Sequence, residues 1–216
     1  MKCYVTAKNL STKTREWLKQ IEPFNLHSTK LKTGKSALLV IDMQNIFLDP
    51  SAPLFTCGGL AIIPQLKQLI EKFRAAKRPV IYTCHVHHPD FIDGGLTAKW
   101  WPKVPIEGLP ESEIHKELAP KKGEKIVYKH RYSAFYNTDL ETVLRSSGIE
   151  DLVIAGVMTN VCCESTARDA FFRDFRVFFP ADGNGSLTEE QHVGTLRNLA
   201  FAFAYVNTCE KVMSEL

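Results

Sequence analysis

Short apolar runs alternate with amphipathic stretches from residue 35 to the C-terminus. The runs rich in Val, Ile and Leu predict strands at 37–41, 79–84, 125–128, 152–155, 176–180 and 204–208. Between them, apolar residues recur at helical spacing and predict helices at 62–76, 138–147, 162–173 and 188–201. Uninterrupted apolar strands separated by helices are typical of a parallel sheet covered on both faces. The pattern therefore predicts an α/β fold, a three-layer doubly wound sandwich around a central parallel sheet of about six strands.

The first 33 residues do not share this pattern. They are polar and basic, with one short helix predicted at 11–20 that Ser11 or Thr12 would cap. A chain of 216 residues is most simply a single domain. We interpret residues 1–33 as an N-terminal extension that packs on the outside of one domain, residues 34–216.

Composition and charge exclude several classes of function. Hydrophobic content of 44% and charged content of 24% are ordinary for a globular protein. The net charge of +3, with no basic run interleaved with aromatic residues, gives no reason to expect a nucleic-acid partner. The longest apolar runs, 37–41 and 199–206, are too short to span a membrane, and the N-terminus has no signal-like apolar stretch. We expect neither a nucleic-acid nor a membrane partner.

The cysteines indicate a reducing compartment. Six cysteines form no CxxC pair, and two of them, Cys162 and Cys163, are adjacent. This spacing suits neither a disulfide framework nor a zinc finger. Reduced thiols in a cytoplasmic protein are the simplest interpretation.

Cys162 lies where a predicted strand has ended and a predicted helix begins. At such a position the free N–H groups and the dipole of the helix favour negative charge. We therefore expect the pKa of the Cys162 thiol to be lowered, which increases the nucleophilic thiolate fraction. A buried cysteine that packs as a small hydrophobic residue is the alternative.

Two further reactive side chains follow predicted strands. Asp42 follows strand 37–41 directly, where partial removal from water suits a general base, although it could instead cap a turn. Lys129 follows strand 125–128, where it could stabilise a thiolate, although it could also be an ordinary solvated lysine. Because ligands bind beyond the carboxyl ends of parallel strands, we predict that Asp42, Lys129 and Cys162 meet there.

Three blocks of sequence resemble the isochorismatase-like cysteine hydrolases, a family that includes nicotinamidases and N-carbamoylsarcosine, ureidoacrylate and biuret amidohydrolases. The blocks are residues 39–47, 128–135 and 156–170. The resemblance runs from residue 37 to the C-terminus. It implies a hydrolase domain whose fold is a doubly wound α/β sandwich. The catalytic aspartate, lysine and cysteine of the family fall on Asp42, Lys129 and Cys162.

The same resemblance implies details around the nucleophile. A cis peptide is expected at Val157–Met158, with the backbone N–H groups of Met158 and Cys162 forming an oxyanion hole. The family motif places its nucleophile three residues after a threonine, which selects Cys162 rather than Cys163. Consecutive helical residues point about 100° apart, so we interpret Cys163 as a packing residue. The family also implies a homodimer or homotetramer.

Three histidines, His85, His87 and His88, follow the second predicted strand. On an extended stretch His85 and His87 would point the same way and could share a metal ion. Nicotinamidases carry an Asp-x-His pair at about this place that holds a divalent metal, but here His85 stands at the aspartate position. We expect the histidines to line the pocket, with no metal and no cofactor; metal binding is the alternative.

These features predict hydrolysis of an amide or ureido C–N bond of a small molecule through a cysteine thioester. Candidate substrate contacts are His85, Trp100, Arg131 and Phe135. The aromatic segment 88–120 is interpreted as a lid or interface loop, or else as a plain surface insertion. Two other functions are considered: vinyl-ether hydrolysis of the isochorismatase type, which needs no thiol, and an idle binding protein on the same fold.

Overall fold

A parallel sheet forms the centre of the computed structural model, which describes residues 3–216. Its seven strands in chain order are β1 (Ser36–Ile41), β2 (Val80–His85), β3 (Lys125–Lys129), β4 (Asp151–Val157), β5 (Arg176–Pro180), β6 (Asn184–Gly185) and β7 (Tyr205–Asn207). The predicted α/β fold and parallel sheet are confirmed. All six predicted strands are present, within two residues at each end. The two-residue strand β6 was missed because it contains no apolar run.

Helices connect and cover these strands. Within the described residues they are α1 (Leu10–Ile21), α2 (Asn45–Leu48), α3 (Cys57–Ala75), α4 (Gly95–Trp100), α5 (Leu140–Ser146), α6 (Glu164–Phe171), α7 (Glu189–Ala202) and α8 (Cys209–Ser214). Helix α3 starts at Cys57, before the predicted start at residue 62, because Gly58 and Gly59 are weak helix formers that hide its first turn. Across residues 3–216, no helix has both the length and the apolar character needed to cross a bilayer.

The order of the strands determines where the helices lie and where a ligand would bind. Across the sheet the order is β3-β2-β1-β4-β5-β7, with β6 paired to β4. The chain thus moves in one direction from β1 to β2 and in the other from β4 to β5. Because crossover connections are right-handed, α3 and α6 lie on opposite faces of the sheet. Ligands in such sheets bind where the order reverses, here beyond the carboxyl ends of β1 and β4.

The N-terminal extension contributes to the hydrophobic core. Helix α1 packs against α7 on the outside of the sandwich. Its side chains Leu10, Trp17 and Ile21 are nevertheless buried and belong to the main apolar cluster. The polar face of α1 is exposed, so the helix lies outside the layers of the sandwich. Its apolar face packs into their core.

The predicted cap of α1 is wrong. The helix starts at Leu10, so Ser11 and Thr12 lie inside its first turn. Asn9 occupies the N-cap position, but its side chain accepts a hydrogen bond from the backbone N–H of Thr6 at 2.7 Å instead of from the helix. An Asn side chain can bond to nearby backbone groups outside a helix, and here that bond fixes the preceding turn.

Gly156 permits the two central strands to approach each other. It pairs with Ile41 in the β1–β4 ladder and has a φ of +136°, a conformation that side chains other than glycine rarely adopt. A Cβ atom at Gly156 would lie only 2.1 Å from the backbone oxygen of Ile41. The residue is therefore required at the strand ends where the site is expected.

We predict opposite effects for alanine at two glycines. Gly156→Ala should lower the free energy of unfolding by more than about 1 kcal/mol, because both the backbone conformation and the clash oppose it. Gly194→Ala is the control: nothing lies within 4 Å of its Cβ position inside α7. It should raise stability by roughly 0.5–1 kcal/mol. Urea unfolding followed by circular dichroism measures both, and equal effects would contradict this interpretation.

Candidate active site

The carboxyl ends of four neighbouring strands bring the three predicted catalytic residues together. Asp42 follows β1, and Lys129 is the last residue of β3. Cys162 lies in a π-helical turn, Thr159–Cys163, that connects β4 to α6. Because β1 pairs with β2 and β4, and β2 pairs with β3, these positions share one edge of the sheet. The three side chains thus lie together at these strand ends, as the sequence predicts.

Short distances join the three side chains. The Nζ atom of Lys129 lies 2.7 Å from Oδ2 of Asp42 and 3.5 Å from Sγ of Cys162. A carboxylate oxygen of Asp42, a ring nitrogen of His85 and Sγ of Cys162 lie within 4.8 Å of one another. All four side chains are buried. A carboxylate, an ammonium and a thiol therefore share one site that is removed from water.

Lys129 keeps its positive charge although it is buried. Burial alone would lower its pKa, but the negative charge of the Asp42 carboxylate outweighs this and raises the pKa of Lys129. The ammonium also donates a hydrogen bond to the backbone oxygen of Arg131 at 3.0 Å. Its charge is thus fixed between the carboxylate and the sulfur.

Thr83 fixes the orientation of Asp42. Asp42 has a positive φ of 48°, which aspartate tolerates better than most residues. Its backbone N–H donates to Oγ1 of Thr83 at 3.1 Å, and the Thr83 hydroxyl donates to Oδ1 of Asp42 at 2.5 Å. Oδ2 lies 2.7 Å from the Lys129 ammonium and, among the described residues, is held by this ion pair alone, with no hydrogen bond of its own. Thr83 was missed, although a hydroxyl inside an otherwise apolar strand was a usable signal.

The expected lowering of the Cys162 pKa is wrong. Burial raises the pKa of this thiol above its usual value, the Lys129 charge offsets only part of the increase, and Asp42 adds to it. The sequence indicates the start of a helix at this position but not the depth of burial, and removal from water has the larger effect. The resting sulfur is a neutral thiol that must release its proton when it reacts.

The π-helical turn separates the two adjacent cysteines. The backbone N–H groups of Val161 and Cys163 both donate to the carbonyl of Met158, at 3.0 and 3.2 Å, and α6 begins only at Glu164. Cys162 faces a cavity, whereas Cys163 is fully buried in the apolar core. This matches the interpretation of Cys163 as a packing residue.

The peptide bond between Val157 and Met158 is cis, as the resemblance implies. It directly precedes the π-helical turn. Met158 and Cys162 both line the cavity above the sulfur. Their positions are compatible with the oxyanion hole expected from the sequence.

The cavity beside Cys162 is mainly apolar. Its apolar walls come from side chains on several elements, namely Phe47, Leu54, Trp101, Val104, Tyr132 and Val161. Its polar lining comprises His85, Thr97 and Lys103. Residues of the segment 88–120 thus form one wall of the cavity, so this segment is not a plain surface insertion.

Of the four candidate substrate contacts, the structure places only His85 at this cavity. Trp100 is 78% exposed, and the neighbouring Trp101 takes the place in the wall. Phe135 is buried in the core, where its ring stacks on Phe175. The Arg131 guanidinium donates to two backbone carbonyls and does not line the cavity. A run of aromatic residues in the sequence does not show which ring points inward.

His85 is held as a neutral side chain. Burial, and then the nearby Lys129 charge, hold the pKa of His85 well below its usual range. Its Nδ1 lies 3.5 Å from Nζ of Lys129, and its Nε2 lies 3.0 Å from Nε2 of His87. The Gln44 side chain accepts from the backbone N–H of His85 and donates to its carbonyl. His85 is therefore a neutral part of the cavity wall, with a neighbour at each ring nitrogen.

Three side chains of the kind that bind metals form a cluster next to the cavity. His87, Asp93 and His130 each offer a ligand atom, and these atoms lie within 4.8 Å of one another. Nδ1 of His130 donates its N–H to the Val86 carbonyl at 2.7 Å, which leaves Nε2 as the ring nitrogen with a free lone pair. His87 is hydrogen-bonded on both ring nitrogens, to Asp93 and to His85. The hydrogen bond between His87 and Asp93 holds two of the three side chains together, and the absence of a metal from the cluster stays a prediction.

Comparisons with known proteins identify the family of this chain. The family model described as the isochorismatase domain matches residues 36–211. A protein named Nicotinamidase 3 from Arabidopsis thaliana is 40% identical over 184 residues, which is 84% of this chain and 88% of that protein. The N-carbamoylsarcosine amidase of an Arthrobacter species is 31% identical over 203 residues, 89% of this chain and 76% of that enzyme.

A solved structure shows the same fold. The cysteine hydrolase from Pseudomonas syringae pv. phaseolicola 1448A superposes with a TM-score of 0.83 at 30% identity, covering 87% of this chain and 95% of that one. The matched family segment includes Asp42, Lys129 and Cys162, and it leaves the N-terminal extension outside. The chain belongs to the isochorismatase family.

Proposed function

We propose that this protein hydrolyses a C–N bond of a small amide or ureido compound through a thioester on Cys162. The observation that carries the proposal is the buried contact of one ammonium, Lys129, with both the Asp42 carboxylate and the Cys162 sulfur. Relatives named as a nicotinamidase and as an N-carbamoylsarcosine amidase support an amide-type substrate. A vinyl-ether hydrolase has no use for a thiol at this position, and an idle binding protein has no use for the charged pair.

In the first half-reaction Cys162 is acylated. The neutral thiol passes its proton to Asp42 as Sγ bonds to the substrate carbonyl carbon. Lys129 stabilises the developing thiolate, and the backbone N–H groups of Met158 and Cys162 stabilise the tetrahedral oxyanion. Collapse of this intermediate breaks the C–N bond, and Asp42 returns the proton to the departing amine.

In the second half-reaction water releases the acyl group. Asp42, again a carboxylate, takes a proton from a water molecule as the water attacks the thioester carbonyl. The carbon–sulfur bond breaks, the acid product leaves, and the proton on Asp42 returns to Cys162. Lys129 remains an ammonium throughout, which keeps the carboxylate oriented towards both the sulfur and the substrate.

The lining of the cavity favours an uncharged substrate. Within residues 3–216, the nearby cations already have partners: Lys129 pairs with Asp42, and Lys103 pairs with Glu111 at 3.2 Å. The Arg131 guanidinium is bound to backbone carbonyls, and His85 is neutral. A carboxylate on the substrate would lose its hydration without gaining a free positive charge. We therefore propose that the natural substrate is a small neutral amide or ureido compound.

A homodimer or homotetramer is also proposed. Ile92, Leu96 and Trp100, close to the wall of the cavity, are each about four-fifths exposed, and Phe91 is half exposed. Clustered exposed apolar side chains of this kind mark interaction surfaces. A second copy of the chain is the partner that the family resemblance indicates.

A reducing, cytoplasmic setting is proposed on the basis of the thiols. Each of the six cysteines, all within the described part of the chain, is a free thiol. A mechanism that depends on a free Cys162 requires such a setting, because oxidation of the sulfur would abolish the nucleophile.

Removal of the nucleophile should abolish turnover. We expect Cys162→Ala to lower kcat by roughly three orders of magnitude or more without loss of the fold, and Asp42→Asn to approach this loss. Cys163→Ala is the matched control and should keep most of the activity. Ammonia release from a panel of nicotinamide, carbamoyl and ureido amides measures the rates. Full activity in Cys162→Ala would refute the covalent route.

Two amides with the same four-carbon skeleton test the preference for a neutral substrate. Maleamate and cis-crotonamide differ only in a carboxylate that is replaced by a methyl group. Because burial of an unpaired carboxylate costs several kcal/mol, kcat/KM should be at least about 100-fold higher for cis-crotonamide. Equal values, or a preference for maleamate, would contradict the proposed substrate class without affecting the cysteine mechanism.

A charged residue introduced into the exposed apolar cluster tests the proposed oligomeric state. Light scattering on a sizing column should give a multiple of the 24.4 kDa chain mass for the wild type. Leu96→Glu should shift this towards the monomer. Phe172→Glu is the control and should leave the mass unchanged, since Phe172 is an apolar residue just beyond α6 that is 69% exposed, against 79% for Leu96. The opposite result would move the interface to α6.

A further inference from the structure

We infer that the N-terminal extension positions the nucleophile through His192, which acts as a positioning residue for the reaction. This inference rests on the proposed role of Cys162 as the nucleophile. The extension lies outside the segment matched by the family model, and the proposed mechanism assigns it no role. Two separate chains of contacts nevertheless connect it to the π-helical turn that carries Cys162.

The first chain starts at the turn itself. Oγ1 of Thr159, the first residue of the π-helical turn, lies 2.9 Å from Nδ1 of His192 on α7. Both side chains are completely buried. Thr159 directly follows Met158, one of the proposed oxyanion donors, and precedes the nucleophile by three positions. A hydrogen bond at Thr159 therefore fixes the backbone between the proposed oxyanion donor Met158 and the proposed nucleophile Cys162.

The extension holds His192 from the other side. The ring of Trp17 on α1 lies 4.4 Å from the imidazole of His192, centroid to centroid, and is itself buried. The indole N–H of Trp17 donates to Oε1 of Glu189 at 2.7 Å, and Lys13 lies 3.1 Å from the same oxygen. Helix α1 is thus joined to the first turn of α7, the turn that carries His192.

A second chain of contacts reaches the next residue of the turn. The Tyr4 hydroxyl, in the extension, accepts a hydrogen bond from the backbone N–H of Ser186 at 3.2 Å. The Ser186 hydroxyl donates to Oδ1 of Asn160 at 2.5 Å. Two consecutive residues of the turn, Thr159 and Asn160, are therefore hydrogen-bonded to His192 and Ser186. Both of these partners contact the extension.

His192 can only position, because it lies outside the reacting site. Burial lowers the pKa of His192 to about 3, so the imidazole stays neutral and contributes a hydrogen bond rather than a charge. A displacement of reacting groups by about 1 Å can cost roughly 100-fold in rate. Loss of the hydrogen bond that holds the turn with Cys162 in place should therefore lower kcat more than it changes KM.

The test compares His192→Leu, His192→Asn, Thr159→Val and the His192→Leu/Thr159→Val double variant in the full-length protein. Loss of this one hydrogen bond should lower kcat by about tenfold in His192→Leu and in Thr159→Val, with little change in KM. The double variant should be no slower than either single one, because both remove the same contact. His192→Asn retains a polar atom near the Nδ1 position and should recover most of the rate.

Each contrary result has a definite meaning. Additive losses in the double variant, no recovery in His192→Asn, or a higher KM at unchanged kcat would overturn the role of His192. Thr159→Val preserves the side-chain shape, so it decides the question even if His192→Leu fails to fold.

Two more variants test the contribution of the extension. Trp17→Phe keeps an aromatic ring but removes the N–H donor to Glu189, and it should lower kcat in the same direction. Arg197→Ala is the control: Arg197 is also on α7 and lies over the ring of Phe24 in the extension, 4.6 Å from its centroid, so it joins the extension to α7 without His192. It should leave kcat unchanged. An unchanged kcat in Trp17→Phe would remove the extension from the proposal. An equal loss in Arg197→Ala would overturn the path through His192, because any contact between the extension and α7 would then support the rate.

Alkylation of Cys162 by iodoacetamide separates this inference from the proposed function. In the wild type, limiting reagent should modify Cys162 before Cys163, and His192→Leu should slow that reaction. If Cys163 of the wild type is modified before Cys162, the proposed nucleophile is wrong. If Cys162 is modified first but reacts equally fast in His192→Leu, only the positioning role is wrong.

Discussion

The Lys129 ammonium and the Asp42 carboxylate lie 2.7 Å apart in a site removed from water, and the proposed chemistry depends on this pair. Removal of one member of such a pair leaves the other as an uncompensated buried charge, at a cost of about 3–5 kcal/mol. The pair therefore persists only where the fold places both residues together. Cys162 completes the site because its sulfur reaches the same ammonium, which offsets part of the burial that keeps the thiol protonated.

The parallel sheet meets this requirement through its strand order. The ends of β1, β3 and β4 lie on one edge, so residues that are distant in the chain become neighbours there. Local features then fix the details. Gly156 permits the close approach of β1 and β4, Thr83 orients the carboxylate of Asp42, and the π-helical turn directs Cys162 to the cavity and Cys163 to the core.

The architecture and the three reactive residues could be predicted because they depend on patterns that the sequence displays. Apolar runs mark the strands, and a polar residue directly after such a run marks a strand end. Burial is different, because it depends on what other segments contribute: the Cys162 pKa was predicted in the wrong direction for this reason. The inward ring of Trp101 and the contact between His192 and Thr159 likewise depend on tertiary packing between segments far apart in the chain.

The acyl group on Cys162 is the most direct test of the mechanism. Enzyme that turns over an amide substrate is quenched with acid within milliseconds. The masses of its proteolytic peptides are then measured by mass spectrometry. The mechanism predicts that the peptide containing Cys162 gains the mass of the substrate acyl group, and that this gain is absent from Asp42→Asn enzyme treated in the same way. Turnover with the acyl group on another residue, or with no covalent adduct at any quench time, would contradict it.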